Sequence, residues 1–312
     1  NLEDLNMTEQ TKLPFDFMNA AGWVKTVDHV RQMAKVPYTS HIVVGGFTPP
    51  ENVGNQDGTN FVVLADGSYG NALGLPNGGI PYLKQNGREM TKIIHDCGKK
   101  AVLNCSWFTP EQAALLAETA AEAGFDIDED NRGCPNVYQG GKQKRIPSYY
   151  MDLLEQADEH IDRAVGTTLT VWEKLSPYVN PQDRVDQAER IVKRGRQRVT
   201  VINTVPNFRP RDKDGKLLIT AKNTNGYCGL SGAGAKTLAL INAEHFVELL
   251  RLHNIGVNGT TGIKSGADLQ EYISLGCVGA QVGGAVYAAD SPKPLATIAH
   301  EWADKFGDQQ TA

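Results

Sequence analysis

The sequence predicts a (β/α)8 TIM barrel with inserted loops and a hairpin at its catalytic face. Three observations support this fold: short β-prone runs alternate with amphipathic helical stretches, eight such runs can be counted, and 312 residues suit one large barrel. Strands that alternate with helices pair in parallel, and eight such units favour closure. A doubly wound open sheet is the alternative, because strand counts made from sequence carry errors.

The predicted strands are short and rich in small or β-branched residues. They cover residues 17–24, 41–47, 101–106, 127–131, 170–175, 198–205, 256–262 and 279–286. Between them lie helical stretches, the clearest at 110–123 and 243–253, whose apolar residues repeat at helical spacing. We find no linker, low-complexity tract or internal repeat, so one domain is predicted over residues 1–312.

Three segments interrupt the regular alternation. Residues 51–80 form a Gly/Asn-rich insertion, and residues 208–221 hold Asp214-Gly215 between β-prone runs, which is a hairpin signal. Material inserted after barrel strands lies at the catalytic face, where it can cover a ligand. Gly140-Gly141 and the basic residues 142–145 fit either a hinged, solvated lid or an ordinary surface loop.

Composition and charge argue against nucleic acid and membrane as partners. The formal net charge is −5, and the only basic cluster, at residues 193–196, is interpreted as a solvated helix end. No apolar run reaches the roughly 18 to 20 residues that a membrane span needs. Five scattered cysteines without a C-x-x-C pair indicate neither disulfides nor a metal site, so a reducing cytoplasm is expected.

Two glycine clusters near the end of the chain predict a phosphate-binding site. Gly259-Thr260-Thr261-Gly262 and Gly283-Gly284 follow the last two predicted strands. In a barrel, the loops after strands seven and eight bind phosphate through backbone N–H groups and a short helix. A phosphate-bearing ligand such as FMN is therefore expected, although each cluster alone could simply form a turn. Residues 229–237 resemble a Walker A loop, but Ala235 stands where that loop requires glycine.

The segment 129–137 places a lone thiol, Cys134, on a short Pro-containing loop between two carboxamides, Asn131 and Asn136. A thiol at the mouth of a pocket can act as a general base, and carboxamides can hold a polar ring without adding charge. Taken alone, the loop fits an inert, partly buried cysteine better than a catalytic one.

These motifs, taken together, give the chain an end-to-end resemblance to the class 1 dihydroorotate dehydrogenases, which are soluble FMN-containing (β/α)8 enzymes. Glu129 to Val137 is similar to the family's Glu-Leu-Asn-Leu-Ser-Cys-Pro-Asn-Val. Further matches, in the family's order and spacing, are Phe17 to Gly22, Asn71 to Asn77, Lys174 to Tyr178, Asn203 to Val205 and Gly259 to Ile263. The Gly-Leu-Pro-Asn sequence at residues 74–77 resembles that of the homodimeric, fumarate-coupled branch of the family.

The resemblance implies a mechanism and a set of site residues. Cys134 is expected to remove a proton while hydride passes to flavin N5, and Lys174 to stabilise the reduced flavin. The implied substrate-binding residues are Asn71, Gly74, Leu75, Asn131, Asn136, Asn203 and Thr204. The implied FMN-binding residues are Ala20, Ala21, Gly22, Gly45, Asn104, Asn131, Lys174, Gly229, Gly232, Gly262, Ile263, Gly283 and Gly284.

Three departures from the family pattern concern the substrate. The family's lysine after the second strand is missing from residues 42–48, the Leu-Ser before the cysteine is Arg132-Gly133, and Cys228 replaces a glycine. Arg132 is expected either to replace the missing lysine or to face solvent, and Lys25 is a weaker candidate.

Three functions are therefore weighed. The first is FMN-dependent oxidation of dihydroorotate to orotate in pyrimidine biosynthesis, with an acceptor such as fumarate. The second is a diverged flavin oxidoreductase that acts on another dihydropyrimidine, cyclic amide or enone. The third is a non-catalytic flavin-binding barrel, against which the presence of Cys134 and Lys174 argues.

Overall fold

The computed structural model describes residues 13–139 and 142–307. The strands are β1 (Asp16–Asn19), β2 (His41–Phe47), β3 (Phe61–Val63), β4 (Ser68–Asn71), β5 (Lys100–Ser106), β6 (Ile127–Asn131), β7 (Tyr138–Gln139), β8 (Lys142–Gln143), β9 (Thr170–Lys174), β10 (Arg198–Val201), β11 (Val205–Phe208), β12 (Cys228–Gly232), β13 (Gly256–Thr260) and β14 (Gly279–Val282). The helices are α1 (Val27–Ala34), α2 (Gly79–Asp96), α3 (Pro110–Ala123), α4 (Met151–Val165), α5 (Pro181–Lys193), α6 (Ala233–Leu250), α7 (Gly266–Ser274), α8 (Gly284–Ala289) and α9 (Lys293–Phe306).

Eight of these strands close into a parallel barrel in the order β1-β14-β13-β10-β9-β6-β5-β2. The predicted (β/α)8 barrel is therefore confirmed, and the open-sheet alternative is excluded. The bounds of β2, β6 and α3 agree with the prediction. Strands β1, β10, β13 and β14 end earlier than predicted, because the glycine and polar residues that follow them turn into loops at the barrel mouth.

Helix α3 shows how local sequence sets these boundaries. The Thr109 hydroxyl accepts a hydrogen bond from the Gln112 N–H, and Pro110 occupies the first helical position, where no donor is needed. Gly124 ends the helix in the left-handed region at φ 84°. One face of the helix is packed on the barrel through Ala113, Leu116, Ala117 and Ala120, all buried.

A second, antiparallel sheet of four strands, in the order β11-β12-β4-β3, combines two strands of the predicted insertion at 51–80 with two strands that flank the one at 208–221. Its pairing places Asn71, at the end of β4, opposite Gly229 of β12. The predicted hairpin at 208–221 is reduced to one bridge, Arg211 with Leu217, around a turn that Asp212 closes. The longer hairpin is made by β11 and β12 outside it.

The third interruption, the predicted lid, is described only in part. Gly140-Gly141 lies outside the described residues, and the flanking β7 and β8 pair as a short ribbon. Lys144 lies 4.4 Å above the Phe108 ring and Arg145 3.6 Å above that of Tyr150. These two cations are therefore packed on aromatic rings.

The barrel interior changes from apolar to polar along its axis. Its floor is formed by Met18, Val43, Val102, Ile127 and Trp172. Above this floor, the buried carboxylate of Glu129 accepts hydrogen bonds from Asn104 Nδ2 (2.7 Å), from the Thr200 hydroxyl (2.8 Å) and from the Gln281 amide. A buried charge is tolerated only when it is satisfied in this way, so Glu129 anchors the polar layer that leads to the barrel mouth.

Behind β6 and β9, on the outer side of the barrel wall, charges replace the usual apolar packing. We call this group the charged cluster; it consists of Asp130, Arg132, Asp158, Glu173, Arg190 and Arg196, all buried. Asp158 of α4 contacts Arg132 at 2.5 Å, Arg190 at 2.6 Å and Arg196 at 2.9 Å. The interpretation of residues 193–196 as a solvated helix end is wrong for Arg196, which belongs to this cluster.

Among residues 13–139 and 142–307, no helix combines the length and the apolar character needed to cross a membrane.

Candidate active site

Two adjoining cavities open at the carboxyl ends of the barrel strands. The larger cleft measures about 810 Å³ and the smaller cavity about 470 Å³, with the solvent at their mouths included. They share a wall made of Ala21, Gly22, Asn71, Leu73, Lys174 and Asn203. Ligands in the two cavities would therefore be neighbours that touch the same residues.

The larger cleft is lined by the predicted glycine clusters. Its walls include Ala20, Ala21, Gly22, Lys174, Gly232, Gly262, Ile263, Gly283 and Gly284. Within the described part of the chain, the N–H groups of Gly262, Ile263, Gly283 and Gly284 donate no hydrogen bond. Unpaired backbone donors at a concave surface are typical of anion sites.

Sequence analysis missed several residues of this cleft, including Lys264, Tyr69, Ser231 and Trp23. Lys264 directly follows the matched motif that ends at Ile263, so its place in the sequence could have indicated that it lines the cleft. Tyr69 and Ser231 reach the cleft through the four-stranded sheet, whose pairing the sequence did not predict.

Three predicted cofactor residues, Gly45, Asn104 and Gly229, line neither cavity. Gly45 is closely packed on β5, where a Cβ would lie 2.6 Å from the Asn104 carbonyl oxygen. The Asn104 side chain is bonded to Glu129 and Asn131. A Cβ on Gly229 would lie 2.2 Å from the Thr204 hydroxyl, so Gly229 lies behind Thr204.

The smaller cavity brings together most of the predicted substrate residues. Its walls contain Asn71, Gly74, Leu75, Asn131, Cys134, Asn136 and Asn203. Thr204 lines the larger cleft instead. Asn203 Nδ2 donates to Asn131 Oδ1 (2.8 Å), and Asn131 Nδ2 donates to Asn104 Oδ1 (3.0 Å), so Glu129 indirectly orients this chain of amides.

Two buried polar atoms at this site have no hydrogen-bond partner in the described structure, Asn136 Oδ1 and Thr204 Oγ1. Leaving such an atom unpaired in a buried position costs about 1–3 kcal/mol. Both atoms face Gly229, which lines neither cavity, so they lie behind the cavity surface rather than on it.

Cys134 lies on the loop after β6 and lines the smaller cavity. Burial raises the pKa of its thiol, while the Asn136 N–H and the ammonium groups of Lys174 and Lys25 act to lower it. The preceding Gly133 is required by space, because a Cβ there would lie 2.7 Å from the Ser176 hydroxyl. The family's serine at this position is thus sterically excluded here.

Lys174, at the end of β9, lies in the wall shared by the two cavities. Its ammonium donates to Gln281 Oε1 at 3.4 Å. The charge can therefore act on ligands on both sides.

The structure corrects the expectation for the missing lysine. Arg132 neither enters the cavity nor faces solvent: its side chain is fully buried in the charged cluster, where Nε donates to Asp130 at 2.7 Å. Lys25, the weaker candidate, lines the smaller cavity with Cys134. It lies in the loop between β1 and α1, and the sequence gave no indication of the direction of its side chain.

Comparisons with known proteins agree with this geometry. Residues 7–304 match the model of a protein family described as Dihydroorotate dehydrogenase. The chain is 30% identical over 268 residues to Dihydroorotate dehydrogenase (fumarate) of Saccharomyces cerevisiae, a match that covers 86% of this chain and 82% of the yeast protein. It is 29% identical over 244 residues to the catalytic subunit of Dihydroorotate dehydrogenase B (NAD(+)) of Staphylococcus carnosus, covering 78% of this chain and 73% of that protein.

A solved structure of DHODH from Eimeria tenella in complex with ferulenol has the same fold. Its TM-score is 0.73 at 16% identity, and the match covers 94% of this chain and 82% of that one. The predicted family and the predicted class of enzyme, an oxidoreductase, are confirmed: the chain belongs to the dihydroorotate dehydrogenase family.

Proposed function

We propose that the protein oxidises dihydroorotate to orotate with FMN as its cofactor. One observation carries the proposal: the cavity that holds Cys134 and the asparagines shares a wall, which includes Lys174, with the cleft that holds the glycine loops. A base on one side of the substrate and a hydride acceptor on the other are what removal of two hydrogens from neighbouring carbons requires.

The larger cleft fits FMN. The unpaired N–H groups of Gly262, Ile263, Gly283 and Gly284, together with the Lys264 side chain, suit its phosphate. Lys174 at the inner end suits the edge of the ring system where negative charge develops on reduction. When bound, FMN would supply the hydride acceptor.

Cys134 is the residue that accepts the proton. As a thiolate, its Sγ takes a proton from the substrate carbon next to a ring carbonyl, while the neighbouring carbon loses hydride, so a C–C single bond becomes a double bond. Asn131, Asn136 and Asn203 hold the ring through its amide edges. The Glu129-anchored chain fixes the direction of these amides before the substrate arrives.

We further propose fumarate as the electron acceptor, a homodimer as the assembly, one domain over residues 1–312 and the cytoplasm as location. The fumarate proposal is supported by the Gly-Leu-Pro-Asn loop at 74–77 and by the fumarate-coupled activity for which the yeast relative is named. Fumarate-dependent reoxidation, measured beside NAD(+), tests the acceptor, and the mass of the protein in solution tests the dimer.

An anaerobic absorbance titration with dihydroorotate tests the central proposal. Rapid bleaching of the bound flavin is expected. A flavin that stays oxidised with dihydroorotate but bleaches with an uncharged cyclic amide would reject the proposed substrate, and a protein that cannot be loaded with FMN would reject the cofactor.

A further inference from the structure

Lys25 is a cation built into the substrate cavity by a rigid loop. The Gly22 N–H donates to the Gly45 carbonyl at 2.6 Å, and the Gly45 N–H donates back to the Val24 carbonyl at 2.8 Å. The Lys25 N–H bonds His29 Nδ1 at 3.4 Å, at the first turn of α1. The backbone on both sides of Lys25 is thus fixed to β2 and α1, which determines where the ammonium can reach.

The end of β2, beside the Lys25 loop, cannot supply a cation. Gly46 lines the cavity, and a Cβ there would lie 2.8 Å from Asn104 Oδ1 and 2.9 Å from the Ser106 hydroxyl. A side chain at this end of β2 would therefore collide with β5. Any positive charge near this part of the cavity has to come from another element.

The ammonium of Lys25 has few partners within the described part of the protein. Its Nζ donates to the Pro76 carbonyl at 2.5 Å, and none of the residues that line the cavity is acidic. Burial lowers the pKa of Lys25 to about 8, which shows that its charge lacks compensation. Close to Pro76, the N–H groups of Gly74 and Leu75 donate no hydrogen bond within the described residues.

We propose that Lys25, with the Gly74 and Leu75 N–H groups, binds a carboxylate on the ring of the substrate and so selects charged over uncharged cyclic amides. This inference rests on the proposed function and specifies its substrate class. An ammonium and two backbone donors around one anion form charge-assisted hydrogen bonds, which are stronger than neutral ones. Lys25 thereby acts as the specificity-determining cation that Arg132 does not provide.

Equilibrium binding of orotate and uracil, which share a ring and differ by the carboxylate, tests this role without turnover. In Lys25→Met, we expect the Kd for orotate to rise about 10- to 100-fold while that for uracil changes less than about twofold. Lys25→Arg keeps the charge and should retain part of the preference. Lys99→Met is the matched control, because Lys99 is also a buried lysine with a pKa of about 8 but donates to three backbone carbonyls away from the cavity.

Three outcomes would overturn the proposal. Equal loss of both ligands in Lys25→Met would make Lys25 a structural tether for Pro76, and no loss of either would remove it from the site. Absence of a preference for orotate in the unchanged protein would also refute it. Selective orotate binding without flavin reduction by dihydroorotate would instead reject the proposed function and leave the role of Lys25 standing.

Discussion

Two polar regions lie on opposite sides of the wall formed by β6 and β9, and they differ in how completely their groups are paired. Outside the wall, the charged cluster sets three arginines against three carboxylates, with Asp158 in contact with all three arginines. At the barrel mouth, Asn136 Oδ1 and Thr204 Oγ1 have no partner in the described structure, and Lys25 has one carbonyl. The arginines of the cluster are paired with carboxylates, whereas no acidic residue lines the cavity that holds Lys25.

The difference indicates which region serves the fold and which serves a ligand. A paired charge is costly to disturb but has nothing to offer a ligand, whereas an unpaired group becomes stable only when something binds to it. Three groups in or beside the cluster depart from full pairing: Arg132 Nη1, Arg194 Nε and the Asp128 carboxyl. Burial raises the pKa of Asp128 well above its ordinary value, which favours its neutral form.

The largest effect is expected from the unpaired region. Cys134→Ala should lower the rate of substrate oxidation by about 10²- to 10⁴-fold, because the residues that line the smaller cavity include no other thiol, carboxylate or imidazole, while stability and flavin content stay unchanged. Stopped-flow measurement of flavin reduction gives the rate. Cys97→Ala removes an exposed thiol and should react normally. Normal turnover in Cys134→Ala would show that Cys134 is not the base and weaken the distinction between the regions.

The strand periodicity of β6 explains what the sequence could and could not predict. Successive side chains of a strand point to opposite faces, so Glu129 and Asn131 face the interior whereas Asp130 and Arg132 face the helices. The motif predicts Asn131 at the site, and the structure places it in the smaller cavity, whereas the role of Glu129 is not predicted from the sequence. Arg132 was judged by its closeness to Cys134 along the chain, although the alternation already placed it on the outer face.

Lys25 illustrates a feature of the site that could not be predicted from the sequence, the direction of a loop side chain. Its loop bonds to β2 through Gly45, and the cavity it enters is closed by residues 71–76, which are distant in sequence. Neither periodicity nor a local motif specifies such a direction. The closed barrel, by contrast, depends on alternation along the whole chain, which individual errors at strand ends do not change.

A substitution in the charged cluster should lower stability and leave the reaction unchanged, which is the opposite of the effect expected in the cavity. Asp158→Asn removes the carboxylate shared by Arg132, Arg190 and Arg196 and leaves a buried positive charge uncompensated, so we expect a loss of about 3–5 kcal/mol in the free energy of unfolding. Urea unfolding measures the loss, and flavin reduction by the folded protein should stay normal. Asp96→Asn breaks an exposed pair with Lys92 and should cost at most about 1 kcal/mol. A stable Asp158→Asn variant with impaired turnover would assign the cluster to catalysis.

The pH profile is the smallest effect and separates the two cavity groups from each other. Burial raises the pKa of Cys134 above its ordinary value, so the thiolate fraction, and with it kcat/KM for dihydroorotate, should rise about tenfold per pH unit from the acidic side. Lys25, whose pKa burial lowers to about 8, loses its charge in the range where the thiolate is still increasing.

These opposed titrations predict that kcat/KM of the unchanged protein levels off above about pH 8, because each further gain in thiolate is cancelled by loss of the ammonium. In Lys25→Met the values should be lower, but the rise should continue past pH 8, since only Cys134 then titrates. Initial rates with dihydroorotate between about pH 6 and 9 give both profiles, since this range extends to both sides of the ordinary pKa of a thiol. A plateau at the same pH in both proteins would mean that another group titrates there and that Lys25 does not meet the substrate as a cation.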